Sequence, residues 1–191
     1  MKKNLITAIL MTLVTTLLLG IIYPLVVTGL AQVLFPQKAN GQLLRVHGKL
    51  VGSRIIGQGF SGAAYFHSRP SSAGSGYQAD NSNGSQLGPT NHQLIDRVKA
   101  DTAALQAENQ NAPVPIDLVT TSASGLDPEI TPAAAAFQVP RVAKARGITE
   151  DELTRIVARH TQGRQFGFLG EPRVNVLELN LELDQQLPST K

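Results

Sequence analysis

Cysteine is absent from the 191 residues, which excludes disulfides and any zinc or iron–sulfur site built on thiolates. Aromatic residues make up only 5% of the chain, so each must be weighed as core filling before it is given another task. No charged residue lies between Lys3 and Lys38. From Gln37 onward 15 Lys+Arg stand against 14 Asp+Glu, a net of +1, so there is no basic face for nucleic acid. Also missing are a Walker A loop, the G-x-S-x-G elbow and S-x-x-K pair of serine enzymes, and the H-E-x-x-H or H-x-x-x-H spacing of a helical zinc site. His47, His67, His92 and His160 are far apart in sequence, so a metal site would have to be assembled by the fold.

What is there begins with the uncharged run, LITAILMTLVTTLLLGIIYPLVVTGLAQVLF. A membrane span needs about 20 apolar residues, and a helix of about 30 residues is about 45 Å long. The run is about twice the length of a signal-peptide core and ends in no A-x-A site, so it reads as a retained anchor. Residues 1–36 are therefore expected to be a transmembrane anchor helix kinked at Pro24, and residues 37–191 one outer domain. Lys2 and Lys3 place the N-terminus in the cytoplasm and the domain in the periplasm. Thr16, Gly20, Thr28 and Gly29 offer small or hydroxylated surface for partner helices. Lipid-facing filler, with threonines bonded to their own backbone, explains them equally well.

The outer domain reads as α+β. KLVGSRIIGQ is a short strand, and the Gly/Ser/Asn-rich stretch from Ser68 to Asn91 is a long loop whose order would come from a partner. Thr90 and Gln93 form a capping box for a helix with Leu94, Ile95, Val98 and Leu105 on one face. IDLVTTS is a candidate strand. TEDELTRIVARHT is a helix with Thr149 and Glu152 as its box, and VLELNLELD alternates as a half-buried strand. Asp127–Pro128 and Thr131–Pro132 both suit a helix start, with Pro140 limiting the helix. That accounts for the acid and hydroxyl groups of this stretch without catalysis.

GQGFSG, Gly57–Gly62, matches G-x-G-x-x-G, but AAYFHSRP leaves no room for the helix a dinucleotide site requires. In YFHSRPS, Tyr65, Phe66 and Arg69 are the residue types of interface hot spots, or else core filling. A periplasmic hydrolase using Ser71 or Ser122 with His67 and Asp80, or a solute-binding sensor, stays open as an alternative.

The blocks YFHSRPSSAG, GSQLGPTN, DLVTTSASGLDPEITPAAAAFQVPRVAKARG and GEPRVNVLELNLELD, together with GIIYPLVVTG in the anchor, resemble in order the C subunit of the Kdp high-affinity potassium-transporting ATPases. The resemblance implies an accessory subunit of an inner-membrane complex. Its partners would be a channel-like potassium-translocating subunit, a P-type ATPase subunit and a small single-span subunit. It would have no cofactor of its own, ATP being bound by the catalytic subunit, whose ATP affinity it raises as a catalytic chaperone. The phosphorylation motif D-K-T-G-T is absent here, and one span cannot enclose a pore. Should nucleotide touch this chain, Gln138, Arg141 and Arg146 are the candidate contacts.

Overall fold

The computed structural model describes residues 1–186; the final residues of the expected outer domain, 187–191, lie outside the described residues. Residues Met1–Val51 and the chain from Gly52 onward form two compact units.

In the first unit, α1 (Lys2–Thr15), a π-wound segment (Thr16–Ile22) and α2 (Tyr23–Leu34) run as one helix, Lys2–Leu34, long and apolar enough to cross a membrane. The π-winding has a local cause. Pro24 has no N–H, and its ring crowds the carbonyl one turn back, at Gly20; the wider turn over Thr16–Ile22 takes up that mismatch. Thr7, Thr12 and Thr15 donate their hydroxyls to the carbonyls of Lys3, Ala8 and Met11 at 2.8–3.0 Å. Thr16 and Thr28 make no such bond among the described residues. A Cβ added at Gly29 would meet nothing, and one at Gly20 would only touch Thr16 at 3.8 Å. Neither glycine is therefore required by packing inside this chain. A single helical turn, α3 (Pro36–Ala39), leads into the hairpin of β1 (Leu43–Val46) and β2 (Lys49–Ser53). Its two-residue turn is His47–Gly48, both at positive φ (50° and 79°), which matches the twist of the strands.

The second unit is α+β. Its sheet has the order β3 (Glu129–Ile130), β5 (Arg173–Asn175), β4 (Thr161–Gln162), all antiparallel, with Ile130 opposite Val174 and Thr161 opposite Val174. Against it pack α5 (Pro132–Arg146), α6 (Glu150–His160) and α7 (Val176–Gln186). Phe66, Ile130, Val142, Leu153, Val174, Leu179 and Leu183 form the centre of the core. Helix α6 begins as its pattern predicts, with the Thr149 hydroxyl accepting from the Glu152 amide at 3.2 Å and acids in the first turn. Helix α4 (His92–Glu108) half-buries Leu94, Ile95, Val98 and Leu105, also as expected.

Several expectations are corrected. VLELNLELD is the helix α7. Leucines at alternate positions also satisfy a helical face, because Leu179 and Leu183 lie one turn apart, and Leu is a strong helix former. Asn175 starts the helix by accepting from the Glu178 amide at 3.1 Å. IDLVTTS pairs with no strand among the described residues and instead contains a 3-10 turn, Ile116–Leu118. The cap of α4 is Asn91, which accepts from Gln93 N at 2.8 Å, rather than Thr90. Asp127 caps no helix; Glu129 and Ile130 are claimed by the sheet, so α5 starts at Thr131, whose hydroxyl accepts from Ala134 N at 3.1 Å. Pro140 does not end α5, which continues to Arg146 and stops at Gly147 in the left-handed conformation. Burial of Val142 and Ala143 beyond the proline offsets its cost of about 3 kcal/mol. The Phe137 carbonyl beside it accepts from Asn109 Nδ2 at 3.0 Å.

Candidate functional site

No helix or strand occurs between β2 and α4. The chain from Gly62 to Ser71 nevertheless lies against the core, exposed at Gly62 and Ala63 and fully buried at Phe66. Buried backbone must find partners, and with no neighbouring strand these are side chains. Asn180 of α7 accepts from Phe66 N and donates to Phe66 O, both at 2.9 Å. Gln138 of α5 does the same for His67, accepting from its N at 2.7 Å and donating to its O at 3.1 Å. Each primary amide stands in for one peptide unit of a missing strand. Two arginines of α5 hold the carbonyls just before. Arg141 Nη1 donates to Ala63 O at 2.8 Å and Tyr65 O at 2.9 Å, while its Nε is paired with Glu108 at 2.7 Å. Arg146 Nε donates to Ala64 O at 2.7 Å, its Nη2 reaches Asp184 at 2.8 Å, and its guanidinium lies 5.1 Å from the Tyr65 ring centroid. Gln138, Arg141 and Arg146, the three residues named as nucleotide contacts, thus converge on a segment of their own chain.

The next residues form a second node. Arg69 donates to Asp127 at 3.1 Å and lies 3.4 Å from the carbonyls of Thr120 and Thr121. The Tyr77 hydroxyl donates to Arg69 O. Arg69, Asp117, Asp127, Glu129 and Arg173 line an open cleft of about 300 Å³. Asp117 is buried there and accepts from the amide and hydroxyl of Thr131 at 2.8 and 3.2 Å.

Of the YFHSRPS cluster, Phe66 is core. Tyr65 is half-buried, stacked obliquely on Phe60 at 5.7 Å, with its hydroxyl 3.2 Å from Asp184. The loop beyond is tied to its own domain. Ser71 Oγ donates to Gly125 O at 2.6 Å and accepts from Tyr77 N at 2.8 Å, and the Asn83 amide donates to Ser124 O at 2.9 Å. Gly125, at φ 68°, has room for no Cβ, because Asn83 O would lie 2.4 Å from it. These bonds supply a cause of order within the chain that the loop's composition does not announce. The G-x-G-x-x-G stretch has no helix after it; Gly57 instead backs onto Asp127, whose carbonyl would be 2.5 Å from an added Cβ.

Neither Ser71 nor Ser122 bonds to His67 among the described residues. Ser122 accepts from Gly125 N at 3.0 Å, and His67 Nε2 meets Gly62 O at 3.0 Å, so as a neutral imidazole it donates there. No group of three or more His, Asp and Glu is placed to hold a metal among the described residues.

Burial first, and the Arg141 charge second, hold the His67 pKa below the ordinary 6.5. The unfolded chain binds this proton more readily than the folded one, so stability falls as pH drops below about 6.5. Hydrogen bonds from Arg159 and His160 lower the Glu182 pKa, so its contribution is lost only in more acidic solution, below the ordinary carboxylate value of 4.5. In thermal melts of the full chain in detergent, His67→Gln should flatten the part of the profile just below about pH 6.5 and keep the more acidic limb. An unchanged upper limb would assign that dependence to another group.

Asn180 was missed by sequence reasoning, which placed it on the polar face of a strand. Its only signal is a lone amide among leucines.

A family model described as "K+-transporting ATPase, c chain" matches residues 5–185. Three proteins named potassium-transporting ATPase KdpC subunit align over nearly the whole chain. That of Koribacter versatilis is 66% identical over 188 residues, covering 98% of this chain and 97% of its own length. That of Acidobacterium capsulatum is 57% identical over 183 residues, covering 96% and 98%. That of Rhodopseudomonas palustris is 54% identical over 196 aligned positions, covering 96% and 98%.

Proposed function

The chain belongs to the KdpC family of potassium-transporting ATPase subunits, and from that premise we propose that it is a non-catalytic accessory subunit acting on the ATP-hydrolysing subunit through its span. The observation that carries this is the use of its polar side chains. Gln138, Arg141, Arg146 and Asn180 all bond to the backbone of the 63–67 segment, and the two candidate serines hold turns. Neither candidate serine is paired with His67 as a nucleophile among the described residues.

In this reading Lys2 and Lys3 keep the N-terminus cytoplasmic and the domain lies outside, away from cytoplasmic ATP. The chain raises the ATP affinity of the catalytic subunit without touching nucleotide. The effect passes along the helix Lys2–Leu34, where a Cβ at Gly20 or Gly29 would meet nothing closer than Thr16 at 3.8 Å among the described residues and Thr16 and Thr28 have hydroxyls to offer a neighbouring helix. The partners are the channel-like subunit, the P-type ATPase subunit and the small single-span subunit.

The test is the purified complex carrying Gly20→Leu or Gly29→Leu. Membrane insertion should be unchanged, while recovery of the complex falls or the ATP concentration for half-maximal potassium-stimulated hydrolysis rises. Normal values of both would make the helix a passive anchor. Labelling of this chain by a photoreactive ATP analogue, or a cytoplasmic signal from a compartment reporter placed after Lys191, would sink the indirect route.

A further inference from the structure

Three of the six phenylalanines are exposed, Phe35 at the end of the long apolar helix and Phe166 and Phe168 in one loop of the second unit. Strands β4 and β5 are joined by residues 163–172, GRQFGFLGEP, and there Phe166 is 88%, Phe168 70% and Leu169 46% exposed. The loop is built, not slack. Gln165 and Leu169 exchange two backbone hydrogen bonds, each of 2.9 Å, Gly167 N donates to Arg164 O at 3.2 Å, and Arg164 pairs with Glu171 at 2.7 Å across the base. Phe166 is held at φ 52°, a conformation that bulky residues rarely adopt. A rigid hairpin that turns two aromatic rings and a leucine outward fits neither core nor ordinary surface, and such outliers cluster at functional sites.

We propose that this hairpin tip is a docking finger for an apolar cup on another subunit of the transport complex, a cup bordered by at least one Lys or Arg. The proposal rests on reading the chain as an assembled subunit. The charges around the finger choose a protein over the bilayer. Segments that insert into a membrane surface carry excess positive charge. Here Arg164, Arg69 and Arg173 are each paired, with Glu171, Asp127 and Glu129. Asp117 has no cationic partner among the described residues, so the base of the finger and the adjoining cleft, which Glu171 and Pro172 also line, carry one negative charge in excess. That leaves no excess positive charge for anionic headgroups, and the Asp117 carboxylate at the cleft floor suits a basic group on the rim. Rigid aromatic anchors surrounded by polar groups are the usual composition of an interface hot spot.

The experiment uses the whole complex in native membranes. A photoreactive p-benzoyl-phenylalanine at position 166 should give an adduct with another subunit. In parallel, Phe166→Ser with Phe168→Ser should lower recovery of the other subunits on this chain about tenfold or more, while the melting temperature of the full chain alone stays unchanged, since both rings are exposed. Adducts only with lipid or with a second copy of this chain, no adduct at all, or full recovery of the double variant would each overturn the finger. Failure of the unmodified chain to recover partners would overturn the subunit reading itself and the finger with it.

Discussion

Asn180→Asp should lower the unfolding midpoint of the full chain at neutral pH by about 6–12 °C, equivalent to about 3 kcal/mol. Asn180 is 1% exposed and serves both the N–H and the C=O of Phe66. The carboxylate keeps the shape and the acceptor but brings no donor to the Phe66 carbonyl, and it places a charge in the core. Its pH dependence identifies the cause. Burial and the facing carbonyl raise the introduced carboxyl's pKa in the folded state above its unfolded value of about 3.9, so the defect shrinks as acid is added. Once protonated, that carboxyl restores one donor and one acceptor, as in the native amide. Asn180→Leu, which offers neither group, should be destabilised alike at pH 8 and pH 5, to within about 0.5 kcal/mol. Melts of both variants across pH decide it. If the deficit of the carboxyl variant is the same at both pH values, the clamp does not work through these two hydrogen bonds.

The second large effect is expected at Phe66. Its ring is fully buried against the core shared by α5 and α7, and Phe66→Ala should cost about 3–5 kcal/mol through lost transfer energy and the cavity left behind. Recovery of the complex should fall in step with that loss, as a consequence of unfolding. Tyr65→Phe removes only the 3.2 Å hydroxyl contact with Asp184 and should change the midpoint by about 1 °C or less, since a single solvent-accessible hydrogen bond contributes little. Arg69→Ala separates the remaining possibilities. It removes an ion pair with Asp127 and the contacts to Thr120 and Thr121, so a lowered midpoint with normal transport makes Arg69 structural. Reduced assembly at an unchanged midpoint makes it a contact residue. An unchanged midpoint for Phe66→Ala would contradict its place in the core.

These outcomes bear on how much of the site was legible beforehand. Gln138, Arg141, Arg146, Tyr65, Phe66 and Arg69 stood out in the sequence as residues with something to do. The structure brings them together around a single extended segment, with Arg69 at its far end. Their selection came from residue type, which is visible in a sequence. What they contact was not visible, because Gln138 is 71 positions from His67 and Asn180 is 114 positions from Phe66. The exposed finger was likewise overlooked: a Gly-rich turn with two phenylalanines reads as any hairpin until its rings are seen to be exposed.

Whatever depends on near neighbours along the chain was readable from residue order. A long uncharged and largely apolar run is enough to mark the helix Lys2–Leu34, and Thr149 with Glu152 starts α6 from a few successive residues. The order of long blocks is enough to identify the family. Tertiary structure decided the cases in which local signals were degenerate or outweighed. Alternating leucines fit both periods until Val176, Leu179 and Leu183 are buried together as a helix. Pro140 would stop a helix in water but not one whose next turn lies in the core. Asp127 is a sound cap until the sheet takes the two residues after Pro128 and Arg69 takes its carboxylate. In each case burial of apolar surface and the pairing of buried polar groups involve several kcal/mol, against about 1 kcal/mol or less for most local preferences, so burial and pairing set the outcome.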